Sequence, residues 1–165
     1  MRVAFQLLTT LALAWIAAPA LAADTHSNVD ACFHKRGEEA IAGCTALIQS
    51  GSKSGIVLAL AYISRGGLYG KQNDYASAIA DFTAATRLRP RDPYSFYHRG
   101  NIYRLQKDYQ RAIADFDEAI QHDPKYAQAL YGRGLAKAAL RQSVEAKADI
   151  ARARAIDPQI EQKFK

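Results

Sequence analysis

With two cysteines, one methionine, one tryptophan and five prolines in 165 residues, the chain is poor in the residues that mark specialised classes of protein. Its counts point to neither a metal nor a haem protein, and without a Cys-x-x-Cys the two thiols are not a redox-active pair. Five prolines and ten glycines make neither a collagenous chain nor a low-complexity linker. Catalytic signatures are missing as well. His26, His34, His98 and His122 stand apart, and no His-x-x-x-His, phosphate-cradling Gly-rich loop or Gly-x-Ser-x-Gly elbow occurs. No catalytic residue, cofactor or metal is expected. What the chain does have, 49% hydrophobic and 23% charged residues, is ordinary globular composition, which excludes a disordered chain and a polytopic membrane protein.

A net charge of +6 would suit nucleic acid if the cations were clustered, because released counterions drive such binding. They are interleaved with acids instead. Residues 24–58, 59–92, 93–126 and 127–165 carry net charges of −1, +2, 0 and +4. In the most basic stretch, Arg141, Lys147, Arg152 and Arg154 spread around a helix among Glu145 and Asp149, the pattern of a solvated face. Nucleic acid is not an expected partner.

Residues 1–22 read as a secretory signal peptide. Arg2 is followed by an uncharged apolar run from Val3 to Ala18, and Ala20-Leu21-Ala22 supplies the small-x-small pattern that signal peptidase requires. The expected mature chain begins at Ala23 or Asp24 and works in a bacterial periplasm or outside the cell, with no membrane contact after cleavage. A retained leader serving as a single membrane anchor is the alternative. No Cys at the cleavage point marks a lipoprotein.

Residues 59–92, 93–126 and 127–160 align without gaps at a period of 34. Seven columns are identical in all three: Arg65/Arg99/Arg133, Gly66/Gly100/Gly134, Ala78/Ala112/Ala146, Ala80/Ala114/Ala148, Asp81/Asp115/Asp149, Ala85/Ala119/Ala153 and Pro90/Pro124/Pro158. This period, with its ordered aromatic, Gly, aromatic, Ala, aromatic, Ala and Pro, resembles the tetratricopeptide repeat. The resemblance implies an all-α, right-handed α-α superhelix of three repeats, followed by a tail at 161–165.

Each column has a physical reading. In the middle repeat Phe96, Gly100 and Tyr103 share one face of a first helix, while Ala112, Phe116, Ala119 and Ile120 share one face of a second. Gly100 and Ala112 let the two backbones approach closely, which justifies a helical glycine despite its entropic cost. Lys107-Asp108 makes the intervening turn and Pro124 stops the second helix. The third repeat departs from the pattern, with Lys137, Ser143 and Lys147 where the others carry Tyr, Tyr and Ile. Polar substitution suits the end of a stack. The few residues after Pro158 are too short for a full capping helix, so the last helix is expected to expose Ala and Ile surface.

Upstream, residues 23–58 read as a partial N-terminal repeat. GEEAIAGCTALIQSG looks like a lone second helix, with Ala40, Ala42, Cys44 and Leu47 in the places of Ala78, Ala80, Phe82 and Ala85, at a spacing of 38. The surplus falls in Gly51-Ser52-Lys53-Ser54-Gly55, a flexible loop by composition. Residues 24–36 are too short and polar for a regular first helix. Cys32 and Cys44 lie within bridging reach, and in an exported chain a disulfide between them is expected; two reduced, packed thiols are the alternative.

Most tetratricopeptide repeats prefer Leu where Arg65, Arg99 and Arg133 stand. Each of these arginines shares its repeat with Asp81, Asp115 or Asp149, and an Arg at a helix interface needs an acceptor, so Arg to Asp pairing is expected. A solvated Arg whose stem alone packs is the alternative.

The resemblance also implies function. Tetratricopeptide arrays line a concave face with their first helices and hold a protein or peptide segment there. In this chain the aromatic and Arg residues of that face cluster in the middle repeat: Tyr94, Tyr97, His98, Asn101 and Arg104, flanked by Gln128 and Tyr131. These seven are the expected partner-binding residues, with packing against neighbouring helices the competing role for Tyr97 and Tyr131. The Lys, Asn and Arg clamp by which some members hold a terminal carboxylate is replaced by Ile63, Gly67, His98, Gln128 and Gly132. A structural subunit that forms a homo-oligomer through its exposed terminal helix is the alternative function.

Overall fold

The computed structural model describes residues 17–51 and 54–164. Eight α-helices follow one another among them: α1 Ala17–His34, α2 Gly37–Gln49, α3 Gly55–Lys71, α4 Tyr75–Leu88, α5 Pro93–Leu105, α6 Tyr109–His122, α7 Ala127–Ala139 and α8 Ser143–Ile156. A short 3-10 helix, Ile160–Phe164, comes last. No strand occurs among the described residues. Each odd-numbered helix packs on the even-numbered one that follows, and each hairpin packs on the next. The result is the right-handed superhelix of helical hairpins that the 34-residue period implies.

Local chemistry sets the boundaries. Asp74 and Asp108 cap α4 and α6 by accepting the backbone N–H of Ser77 and Arg111 at 3.2 and 3.1 Å. Pro90, Pro124 and Pro158 follow α4, α6 and α8 within two residues, where a helix cannot continue. The turn inside each repeat places Asn73, Lys107 or Arg141 at φ 61–63°, one left-handed residue at the same repeat position.

Phe82 and Phe116 fill the centre and are almost fully buried. A Cβ on Gly100 would lie 3.0 Å from Phe116 Cε1, and one on Gly132 would lie 2.7 Å from Phe116 Cζ. The Phe116 ring is therefore gripped between α5 of its own repeat and α7 of the next, which locks adjacent repeats together.

The N-terminal region differs from the expectation. Residues 24–34 belong to a regular helix, α1, which pairs with α2 to complete a hairpin. Polarity misled because its buried side is narrow: Val29 and Cys32 lie at i and i+3 toward Cys44 and Leu47, while Asp30 and His34 meet on the outside at 3.1 Å. Gly43 permits the contact, since a Cβ there would fall 2.5 Å from Ala31 Cβ. The Cys32 and Cys44 sulfurs are at bonding distance, 2.09 Å, so the expected disulfide pins the two helices. Gly55, assigned by composition to the flexible loop, instead opens α3, because the Ser54 hydroxyl accepts the Val57 N–H at 3.3 Å and starts the helix one turn early.

Residues 1–16, most of the expected signal peptide, lie outside the described residues, and 17–22 form the first turns of α1. No helix among the described residues is long and apolar enough to cross a membrane. At the other end α8 does expose Ala148, Ala151, Ala155 and Ile156. Ile160, however, is fully buried, and the 3-10 helix folds back on α7.

Candidate partner-binding face

The seven expected residues sit on α5 and α7, and what holds those helices in place is an ion-pair ladder. Arg65, Arg99 and Arg133 each form a two-pronged contact with Asp81, Asp115 and Asp149 through Nε and Nη2, at 2.5–2.8 Å. The remaining Nη1 reaches back to the preceding hairpin, donating to Thr45, Thr83 or Asp117 at 2.6–3.0 Å. One guanidinium thus joins two helices of its own repeat and one of its neighbour, satisfying three donor directions in a partly buried site. Lys137 explains one departure of the third repeat: its Nζ donates to Asp149 at 2.8 Å, where the other repeats carry Tyr.

Burial opposes ionisation of Asp149, yet the hydrogen bonds from Arg133 and Lys137 outweigh it and hold its pKa below the ordinary aspartate value. A carboxylate whose folded pKa is depressed contributes stability that is present above the unfolded value and lost as pH falls through the folded one. The gap in unfolding free energy between wild type and Asp149→Asn is accordingly expected to shrink as pH drops below about 4. Urea unfolding across pH 2.5–7 would check this, and a gap that stays constant would contradict it.

On the first-helix side Tyr97, Asn101 and Arg104 run along α5, and Phe164 joins Arg104 to Tyr131 on α7, so the four form one strip. Tyr94 is the most open, 56% exposed, with its ring 5.4 Å from Tyr126. Tyr97 is half-buried, 5.0 Å from Tyr126 and 6.2 Å from Phe116. Burial pushes its hydroxyl pKa up, against the opposing pull of the Asn101 amide and the Arg104 charge. Arg104 Nε points to Asn101 Oδ1 at 3.4 Å, a contact at the long limit of a hydrogen bond. His98 turns inward, stacked 5.5 Å from Phe82, and burial lowers its pKa despite the nearby Asp92, so the ring is neutral at pH 7. Gln128 lies half-buried at the start of α7. Tyr131 meets Phe164 edge-on at 4.8 Å. Packing is therefore a large part of what Tyr97 and Tyr131 do, while Tyr94 is the open member.

Two contributors escaped the sequence reading. Tyr126, 8% exposed, is the hub on which Tyr94 and Tyr97 rest, and burial pushes its pKa upward. It sits in the inter-repeat turn, outside both helical stripes, so periodicity carried no signal for it. Phe164 belongs to a tail too short to predict as structure. Elsewhere, a cavity of about 600 Å³ between the α1–α2 turn and the end of α3 is lined by Lys35, Arg36 and Lys71, away from the strip. No group of three His, Cys, Asp or Glu side chains able to hold a metal occurs among the described residues.

Stacked hairpins with close-packed Gly and Ala contacts and an open first-helix face define an α-helical repeat solenoid. The profile of the tetratricopeptide repeat family matches residues 64–127 and 108–159, more than half of the chain, which therefore belongs to that family. No curated protein sequence matches it. Among solved structures, the first tetratricopeptide domain of human RPAP3 is similar at 31% identity, covering 61% of this chain and 79% of that one, with a TM-score of 0.59. The first such domain of Spaghetti (RPAP3), bound to the HSP90 peptide SRMEEVD, is 28% identical over 64% and 92% of the two chains, TM-score 0.60. MamA from Desulfovibrio magneticus RS-1 shares the fold over 84% and 77% of the chains at 21% identity, TM-score 0.71.

Proposed function

We propose that this chain is a non-catalytic module that holds an extended segment of a partner protein along its concave face, in a bacterial periplasm or outside the cell. The observation that carries the reading is the strip of Tyr97, Asn101, Arg104 and Tyr131, which aligns rings, an amide and a cation across two repeats. The peptide-bound first domain of Spaghetti supports it. Its HSP90 peptide is not carried over, because Ile63, Gly67, His98, Gln128 and Gly132 stand where the carboxylate clamp of such binders would be. The exported location draws on the signal-like residues 1–22 and on the disulfide, which persists in oxidising compartments.

The test is affinity capture from the native envelope with chemical crosslinking, comparing wild type with Tyr94→Ala/Arg104→Ala. Tyr97 is left intact because its packing on Phe116 and Tyr126 would confuse binding with stability. The double variant is expected to lose the captured partner at unchanged helical content and Tm. Capture that survives it, and disappears when α8 is altered, would overturn the concave-face reading. The second reading, a self-associating subunit, draws on Val144 and Ile156, 75% and 43% exposed on α8. A mass independent of concentration in light scattering would exclude it.

A further inference from the structure

The concave strip already holds a ring, and the ring is the chain's own. Ile160 lies 34 residues after Tyr126 and takes its place at the end of the core, fully buried. Glu161 pairs with Arg154 and Lys163 with Asp157, fastening the 3-10 helix to the end of α8. Phe164 lies 34 residues after Leu130, which is fully buried, but it does not follow Leu130 into the interior. It stays half-exposed, edge-on to Tyr131 at 4.8 Å and with the Arg104 guanidinium 5.9 Å from its ring centre. These two ring contacts come from α7 and α5, the helices that carry the strip, and the ring also packs against the core.

We propose that the corner between Arg104 and Tyr131 is a subsite for an aromatic side chain of the partner segment, and that Phe164 fills it in the free protein, so binding requires displacement of the tail. The proposal rests on the concave-face reading and specifies the ligand for it. Tyr131 offers a ring for edge-to-face contact and Arg104 a cation for the ring face. Arg104 has no carboxylate partner among the described residues; its hydrogen bond goes to Asn101. Among the described residues of the tail the one carboxylate, Glu161, pairs with Arg154 and not with Arg104. A partner ring flanked by Asp or Glu would gain the ion pair that the tail lacks, so the subsite favours Phe or Tyr between acidic residues. A tail docked about nine-tenths of the time weakens apparent affinity about tenfold.

The probe is the heptapeptide Gly-Ser-Glu-Phe-Glu-Ser-Gly, titrated by two-dimensional NMR against the full chain, its Phe164→Ala variant and the Phe164→Ala/Arg104→Ala double variant. Ile160 keeps the core closed, so Phe164→Ala is expected to stay folded with wild-type helical content, its Tm lowered only by the few degrees that the lost docking contributes. It should bind the peptide about tenfold more tightly than wild type, by the same occupancy argument. The double variant and a control peptide with Ala for Phe should both lose that binding. Equal affinity for wild type and Phe164→Ala, with dependence on Arg104 retained, overturns the displacement while leaving the concave face standing. Absence of binding to every chain, or indifference to Arg104, overturns the subsite itself. The concave-face reading is judged separately, by the Tyr94 and Arg104 capture experiment.

Discussion

Replacing Arg99 by Leu is expected to cost about 3–5 kcal/mol in urea unfolding, among the largest effects of any single substitution outside the aromatic core. Both Asp115 oxygens take their hydrogen bonds from Arg99, at 2.7 and 2.8 Å, and the Asp115 side chain is only 8% exposed. Removing the guanidinium would strand that carboxylate between two helices and free the Thr83 hydroxyl of the preceding repeat as well. The loss therefore falls on the joint between repeats as much as on one repeat. Removing the charge on the other side should restore part of it: Arg99→Leu/Asp115→Asn is expected to regain at least about 1 kcal/mol relative to the single variant. Purely additive costs would contradict the pairing.

Reducing the disulfide is expected to cost about 3 kcal/mol, the chain-entropy value for a closed loop of this length. Cys32 and Cys44 are 12 residues apart and anchor a small apolar cluster with Leu47 and Ala61, backed by Val29, Ile48 and Val57. The bridge is the covalent tie between α1 and this cluster. Hydrogen exchange with and without reductant should show α1 and α2 losing protection while α5 to α8 keep theirs. Protection that falls evenly along the chain, or does not fall at all, would contradict a local role for the bridge.

The order of helices from α3 to α8 is legible in the sequence because it repeats: seven identical columns mark the close contacts, the turns and the stops. The Arg to Asp pairs are legible for the same reason, since both partners occupy invariant columns at a fixed spacing of 16. The third prong is not. Its acceptors are Thr45, Thr83 and Asp117, which differ in type, and their link to the next repeat exists only once the hairpins stack. Thr45 does supply independent support for the 38-residue offset of the first hairpin, because it occupies the place of Thr83. α1 was hidden by a narrow buried side whose contact depends on Gly43 and the disulfide, neither of which leaves a periodic mark. On the concave face, the cluster of aromatics was visible but not the division of labour within it. Which rings pack inward and which stay open is decided by Tyr126 and by the return of Phe164, both outside the helical pattern.

The most direct measurement of the central claim is hydrogen exchange on the full chain, free and with its captured partner. New protection concentrated in α5 and α7, across 94–105 and 128–138, is the result this account predicts. Protection confined to α8, with α5 and α7 unchanged, would contradict it.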